Sequence, residues 1–112
     1  MNLQVPFYIS GSFEITGLVS ASPKYPNENA IVEATFATQN GSVSPDTINL
    51  TIYKPNYLTT WYSADKTGFT QNGNFWSWVQ MIEAAPTTGT YYVHLTATYN
   101  NISDSKVTQF RI

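Results

Sequence analysis

The chain has 112 residues, 11% of them charged and 15% aromatic, and seven carboxylates against five Lys plus Arg leave a net charge of -2. That length suits one domain around one core, and so few cations exclude a phosphate-backbone binder, so nucleic acid is set aside as a partner. Cysteine is absent, which excludes a disulfide and a thiol nucleophile, and no apolar run is long enough for a membrane-spanning helix.

In chain order, Leu3, Val5, Phe7 and Ile9 alternate with polar residues or Pro6, and Phe13 and Ile15 follow Ser10-Gly11-Ser12. This reads as a hairpin or bent strand at a sheet edge, because Pro6 cannot donate to a ladder. Such a face is too apolar to be left in water. Residues 1–17 are therefore expected to be an extension, with Leu3, Val5, Phe7 and Ile9 as its attachment surface to a shell or a neighbouring subunit. The sandwich proper is expected over 18–112, within a single domain spanning 1–112.

Its first strand is expected over 18–22, ended by Pro23 and Pro26, and its second turns Val32, Ala34 and Phe36 inward. Asn40-Gly41-Ser42 marks a turn, and Ile48, Leu50 and Ile52 form the inward set of the next strand. Lys54-Pro55-Asn56 breaks that strand, and shorter strands are expected over 58–63 and 68–71. Gln71-Asn72-Gly73-Asn74 is the strongest hairpin signal, leading into Phe75-Trp76-Ser77-Trp78-Val79. Pro86 to Gly89 makes a corner before Tyr91, Val93, Leu95, Ala97 and Tyr99, whose period of two puts one apolar face inward. Asn100-Asn101 then turns into a closing strand over 106–112, and no helix is expected.

Gly89-x-Tyr91-x-Val93 resembles the sixth strand of immunoglobulin-like domains, with Val93 where the buried cysteine would stand. Together with Asn72-Gly-Asn-Phe-Trp-Ser-Trp78 and Gln109-Phe-Arg-Ile112, the chain resembles the bacterial and phage Ig-like domains of adhesins and virion proteins. The resemblance implies an all-β, immunoglobulin-like β-sandwich of about seven to nine antiparallel strands without a disulfide. It also implies that the Tyr91 hydroxyl turns back onto the preceding corner.

The chemical inventory is thin. His94 lies on the polar face of its strand with no carboxylate at i±2, and reads as an ordinary exposed residue. Glu14, Glu28, Glu33, Asp46, Asp65, Glu83 and Asp104 are spread singly, with no D-x-D cluster for calcium, and no G-x-S-x-G elbow exists. The expectation is a non-catalytic protein without cofactor or metal. The sequons at Asn40, Asn49 and Asn101 are what chance gives in a chain this rich in Asn, Ser and Thr.

Aromatic residues carry the functional candidates. Trp76 and Trp78 share one face of their strand and Phe75, Val79 and Met81 the other, so one set fills the core and the other must be covered or form a platform. Tyr53, Tyr57, Trp61 and Tyr62 form a candidate ligand platform, suited to sugar stacking or a protein interface, unless they belong to a loop whose rings pack inward. With no signal peptide in view, the preferred expectation is a virion accessory, a capsid decoration or tail protein. The partner would then be capsid or tail protein or further subunits, with a surface glycan as a further candidate. The alternatives are a spacer or binding module of a bacterial or archaeal surface adhesin, and a carbohydrate-binding module.

Overall fold

The alternating sets Val32, Ala34 and Phe36, Ile48, Leu50 and Ile52, and Tyr91, Val93, Leu95 and Ala97 each lie on a strand with that apolar side turned inward. A computed structural model describes residues 12–21 and 27–112, with the Ala21 side chain left aside; Leu3, Val5, Phe7 and Ile9 lie outside the described residues. The strands are β1 (Glu14–Ala21), β2 (Asn29–Thr38), β3 (Gly41–Ser42), β4 (Thr47–Tyr53), β5 (Thr60–Asp65), β6 (Thr70–Asn72), β7 (Phe75–Met81), β8 (Thr90–Tyr99) and β9 (Ile102–Arg111). They make two antiparallel sheets. One runs β1-β2-β7-β6, with β3 pairing the far end of β2, and the other runs β5-β4-β8-β9.

The core lies between the sheets. Val32, Ala34 and Phe36 of β2 and Trp76 and Trp78 of β7 belong to one buried cluster with Ile48, Leu50 and Ile52 of β4 and Tyr91, Val93, Leu95 and Ala97 of β8. Each fully buried Ile, Leu or Phe stabilises the fold by about 1.5–3 kcal/mol relative to its exposed state. Tyr99, the last of the β8 series, is half-buried and stacks on Phe13 at 5.7 Å.

Three turns follow their local chemistry. Gly73, at φ +64°, opens a two-residue turn between Asn72 and Phe75, the left-handed start that a type II′ hairpin requires. Asn100 and Asn101 both have positive φ, 51° and 67°, and join Tyr99 to Ile102 as in a type I′ turn. Asp46 secures that turn from outside, accepting from Asn100 N at 2.8 Å. The corner before β8 is closed by Tyr91, whose hydroxyl donates to Thr87 O at 2.6 Å while Gly89 takes φ +133°.

Burial, and then the nearby Glu83 carboxylate, push the Tyr91 phenol above its usual value near 10, favouring the neutral hydroxyl that makes this bond. A group whose pKa is raised on folding adds stability that is full below the unfolded value and is lost as the pH rises through the folded one. Tyr91→Phe should therefore cost about 1–2 kcal/mol at pH 7 and flatten the decline in stability above pH 10, as read by denaturant melts across pH 7–11.

Two expectations need correction. The first strand does not begin at residue 18: β1 starts at Glu14, and Phe13 and Ile15 are core residues rather than part of an extension. A β-bulge between Ile15 and Gly17 shifts the inward phase from Ile15 to Leu18 and Ser20, and that break in period concealed one continuous strand. The closing strand begins at Ile102, four residues before 106, because pairing resumes directly after the Asn100-Asn101 turn. Its Asp104 accepts from Ile15 N at 2.8 Å, and Ser20 Oγ donates to Gln109 O at 2.7 Å, so β1 and β9 tie the two sheets together along one side. No α-helix forms among the described residues, and a short 3-10 turn, Lys66–Gly68, follows β5. Asp65 caps it, accepting from Thr67 N and Thr67 Oγ1, and those bonds hold its carboxyl below the usual range.

Candidate functional site

The four aromatics expected to act together are divided by the fold. Tyr53 ends β4 on the outer face of the four-stranded sheet, directly opposite Tyr92 of β8. The chain then reverses through Lys54 to Thr59, where Tyr57 N donates to Lys54 O at 2.8 Å and Lys54 N to Thr59 O at 2.8 Å. Asn56 clamps the turn: its Oδ1 accepts from Leu58 N and Thr59 N, and its Nδ2 donates to Thr59 Oγ1.

This turn holds Tyr57 at φ +61°, a left-handed conformation that costs a bulky residue about 1–3 kcal/mol. The ring is thereby laid back over the sheet, 4.3 Å from the ring of Tyr92 and 5.3 Å from that of Tyr53. Its hydroxyl meets His94 Nε2 at 2.5 Å, and the imidazole stands edge-on to Tyr53 at 5.0 Å. Tyr57 stays 43% exposed, and Leu58 beside it, at 87%, is the most exposed large apolar side chain among the described residues. His94 is thus not an isolated strand residue but the polar corner of a four-ring cluster. Tyr92 and His94 were missed as site residues because their partner, Tyr57, lies 37 positions from His94 and reaches it only through the turn.

Trp61 and Tyr62 belong elsewhere. A β-bulge where Ile52 meets Tyr62 and Tyr53 meets Thr60 leaves Trp61 as the extra residue, and both rings gather near Trp78 at the edge between the sheets. Trp61 also stands edge-on to Tyr91 at 5.5 Å and to Phe110 at 6.0 Å, and its Nε1–H donates to Glu83 Oε1 at 3.1 Å. Trp61 closes the core at this end. It is no part of the surface that carries Tyr53 and Tyr57.

The opposite sheet presents a surface of another kind. With Trp76 and Trp78 buried, Phe75, Val79 and Met81 of β7 face outward at 52%, 51% and 56% exposure. Ile31 of β2 lies directly opposite Val79, and Val19 of β1 shares a shallow hollow of about 110 Å3 with Phe75, Glu33 and Thr35. Five apolar side chains from three adjacent strands therefore share one open sheet face. Among the described residues no three His, Asp or Glu side chains gather where they would hold a metal ion.

No protein-family model matches the sequence, and no curated protein matches it. Among solved structures, the fold is similar to part of the chitinase ChiW from Paenibacillus sp. str. FPU-7, described as a bacterial cell-surface-expressed multi-modular enzyme machinery. The two superpose with a TM-score of 0.60 at 7% identity, covering 94% of this chain and 9% of the chitinase. The chain thus matches, in fold alone, one small portion of a much longer protein.

Proposed function

We propose that this chain is a non-catalytic, immunoglobulin-like binding module, held on a larger assembly by the open apolar face of the β1-β2-β7 sheet and displaying the opposite sheet outward. The Ig-like reading is supported by the Tyr91 hydroxyl bonded to Thr87 O, with Val93 buried two residues on in the place of the usual cysteine. The observation that carries the functional reading is the exposure of Val19, Ile31, Phe75, Val79 and Met81 on one sheet face, because a concentration of exposed apolar side chains marks a contact surface for protein. The assembly we favour is a virus-like particle, in which the chain serves as capsid decoration or tail accessory. An attachment role for Leu3, Val5, Phe7 and Ile9 belongs to the same proposal.

The test is immuno-electron microscopy of particles purified from the source culture, with antibodies raised against this chain. Label on shells or tails is the expected result. Val79→Lys, beside Ile31 and Met81 on the apolar face, should abolish that label while changing stability by no more than about 0.5 kcal/mol.

A second reading is a module of a bacterial surface protein, and it is favoured by the likeness to a small part of a multi-modular, cell-surface-expressed enzyme. Label confined to the cell envelope would select it over the particle.

A further inference from the structure

We propose that the outer face of the β5-β4-β8-β9 sheet is a binding site for a neutral oligosaccharide, with Tyr57 as its stacking ring. The Tyr57 ring packs against Tyr92 and Tyr53, and the residue stays 43% exposed to solvent. A pyranose presents an apolar C–H face that packs on such a ring while its hydroxyls reach outward for hydrogen bonds.

The surroundings of Tyr57 meet both demands. In the register of the sheet, Tyr92 lies opposite Gln109 and His94 opposite Val107, and Val107 is 59% exposed. Further along the same face come the hydroxyls of Thr51, Thr96 and Ser105, and the charged Asp65 and Arg111 of this face lie at its two ends. From β4 to β9 this surface spans two strand spacings, roughly 10 Å. A neutral polyhydroxyl chain crossing the strands finds a ring to stack on, a small apolar step at Val107 and uncharged donors and acceptors around them. A protein partner with an apolar surface is better matched by the opposite sheet, which carries Phe75, Val79 and Met81.

The conformation of Tyr57 adds an independent argument. A tyrosine at φ +61° is strained where Asn or Gly would not be, and Asn56 and the Lys54 carbonyl hold it there. The strain fixes the ring before ligand arrives, so little freedom is lost on binding.

The experiment uses the full chain and isothermal titration with cellohexaose, chitohexaose, mannohexaose and maltohexaose. At least one of them should bind, and Tyr57→Asn should weaken that binding by about tenfold or more, equivalent to about 1.4 kcal/mol. Because Asn accepts the left-handed backbone, the same variant should keep or raise the melting temperature. Tyr57→Phe keeps the ring but loses the bond to His94, and it should retain most of the affinity. Absence of binding to all four sugars, or unchanged binding in Tyr57→Asn, would overturn the proposal. So would a marked fall in the melting temperature of Tyr57→Asn, which would make the ring a packing element.

Discussion

Val93→Asp should leave no folded protein at 25 °C. Val93 is fully buried on β8, paired with Ile52 on one side and Thr108 on the other, and it faces the opposite sheet. The described core around it contains no buried polar or charged side chain to pair with a carboxylate. Burying an unpaired charge costs several kcal/mol or more, which meets or exceeds the ~5–15 kcal/mol by which domains are stable. Phe36→Asp, on β2 across the core, should have the same outcome for the same reason.

The control is Thr96→Asp, three residues along the same strand but on its outer face. Its cost should be about 1 kcal/mol at most, the lost bond between Thr96 Oγ1 and Ser105 Oγ. Far-ultraviolet circular dichroism and a urea titration of the three variants decide the matter. Equal tolerance of Asp at 93 and 96 would mean that the inward register of β8 is wrong.

Trp61→Ala should lower stability by about 3 kcal/mol, near the lower end of the range for a large aromatic removed from a core because its ring is half-buried. Three sources add. The ring leaves Trp78, Tyr91 and Phe110 without an edge-on neighbour, the indole bond to Glu83 is lost, and the gap between the sheets opens to water. Removal of the more exposed Tyr62 should cost clearly less, about 1 kcal/mol. Denaturant midpoints with unchanged slopes would measure both. A Trp61→Ala protein as stable as the parent would return Trp61 to the exposed surface.

These results bear on how the fold was encoded. The alternation Tyr91, Val93, Leu95, Ala97 is a local property: a strand puts every second side chain on one face, so the inward set of β8 can be read without any knowledge of the partner strands. The same holds for Val32, Ala34 and Phe36 and for Ile48, Leu50 and Ile52. The turns were legible for a similar reason. Gly73 and the Asn100-Asn101 pair are residue types that accept positive φ, and each sits between two alternating runs.

Reading failed where the period of two is interrupted. At the bulge between Ile15 and Gly17 the inward phase changes, and Phe13 and Ile15 were separated from the strand to which they belong. At the bulge in β5 the extra residue lets Trp61 and Tyr62 gather on the core side, whereas simple alternation would have sent them to opposite faces. A bulge is a relation between two strands, and a single run of residues does not reveal it.

The aromatic cluster was beyond local reading for a different reason. Tyr53 and Tyr92 meet because β4 pairs with β8, and Tyr57 reaches His94 because a clamped turn folds it back across both strands. Composition could point to exposed tyrosines in the stretch after Tyr53, but only the pairing of distant strands selected which of them share a surface. That same pairing left one sheet face apolar and the other aromatic and hydroxyl-rich, because the outward residues of each strand acquire a common neighbourhood only when the sheets are assembled.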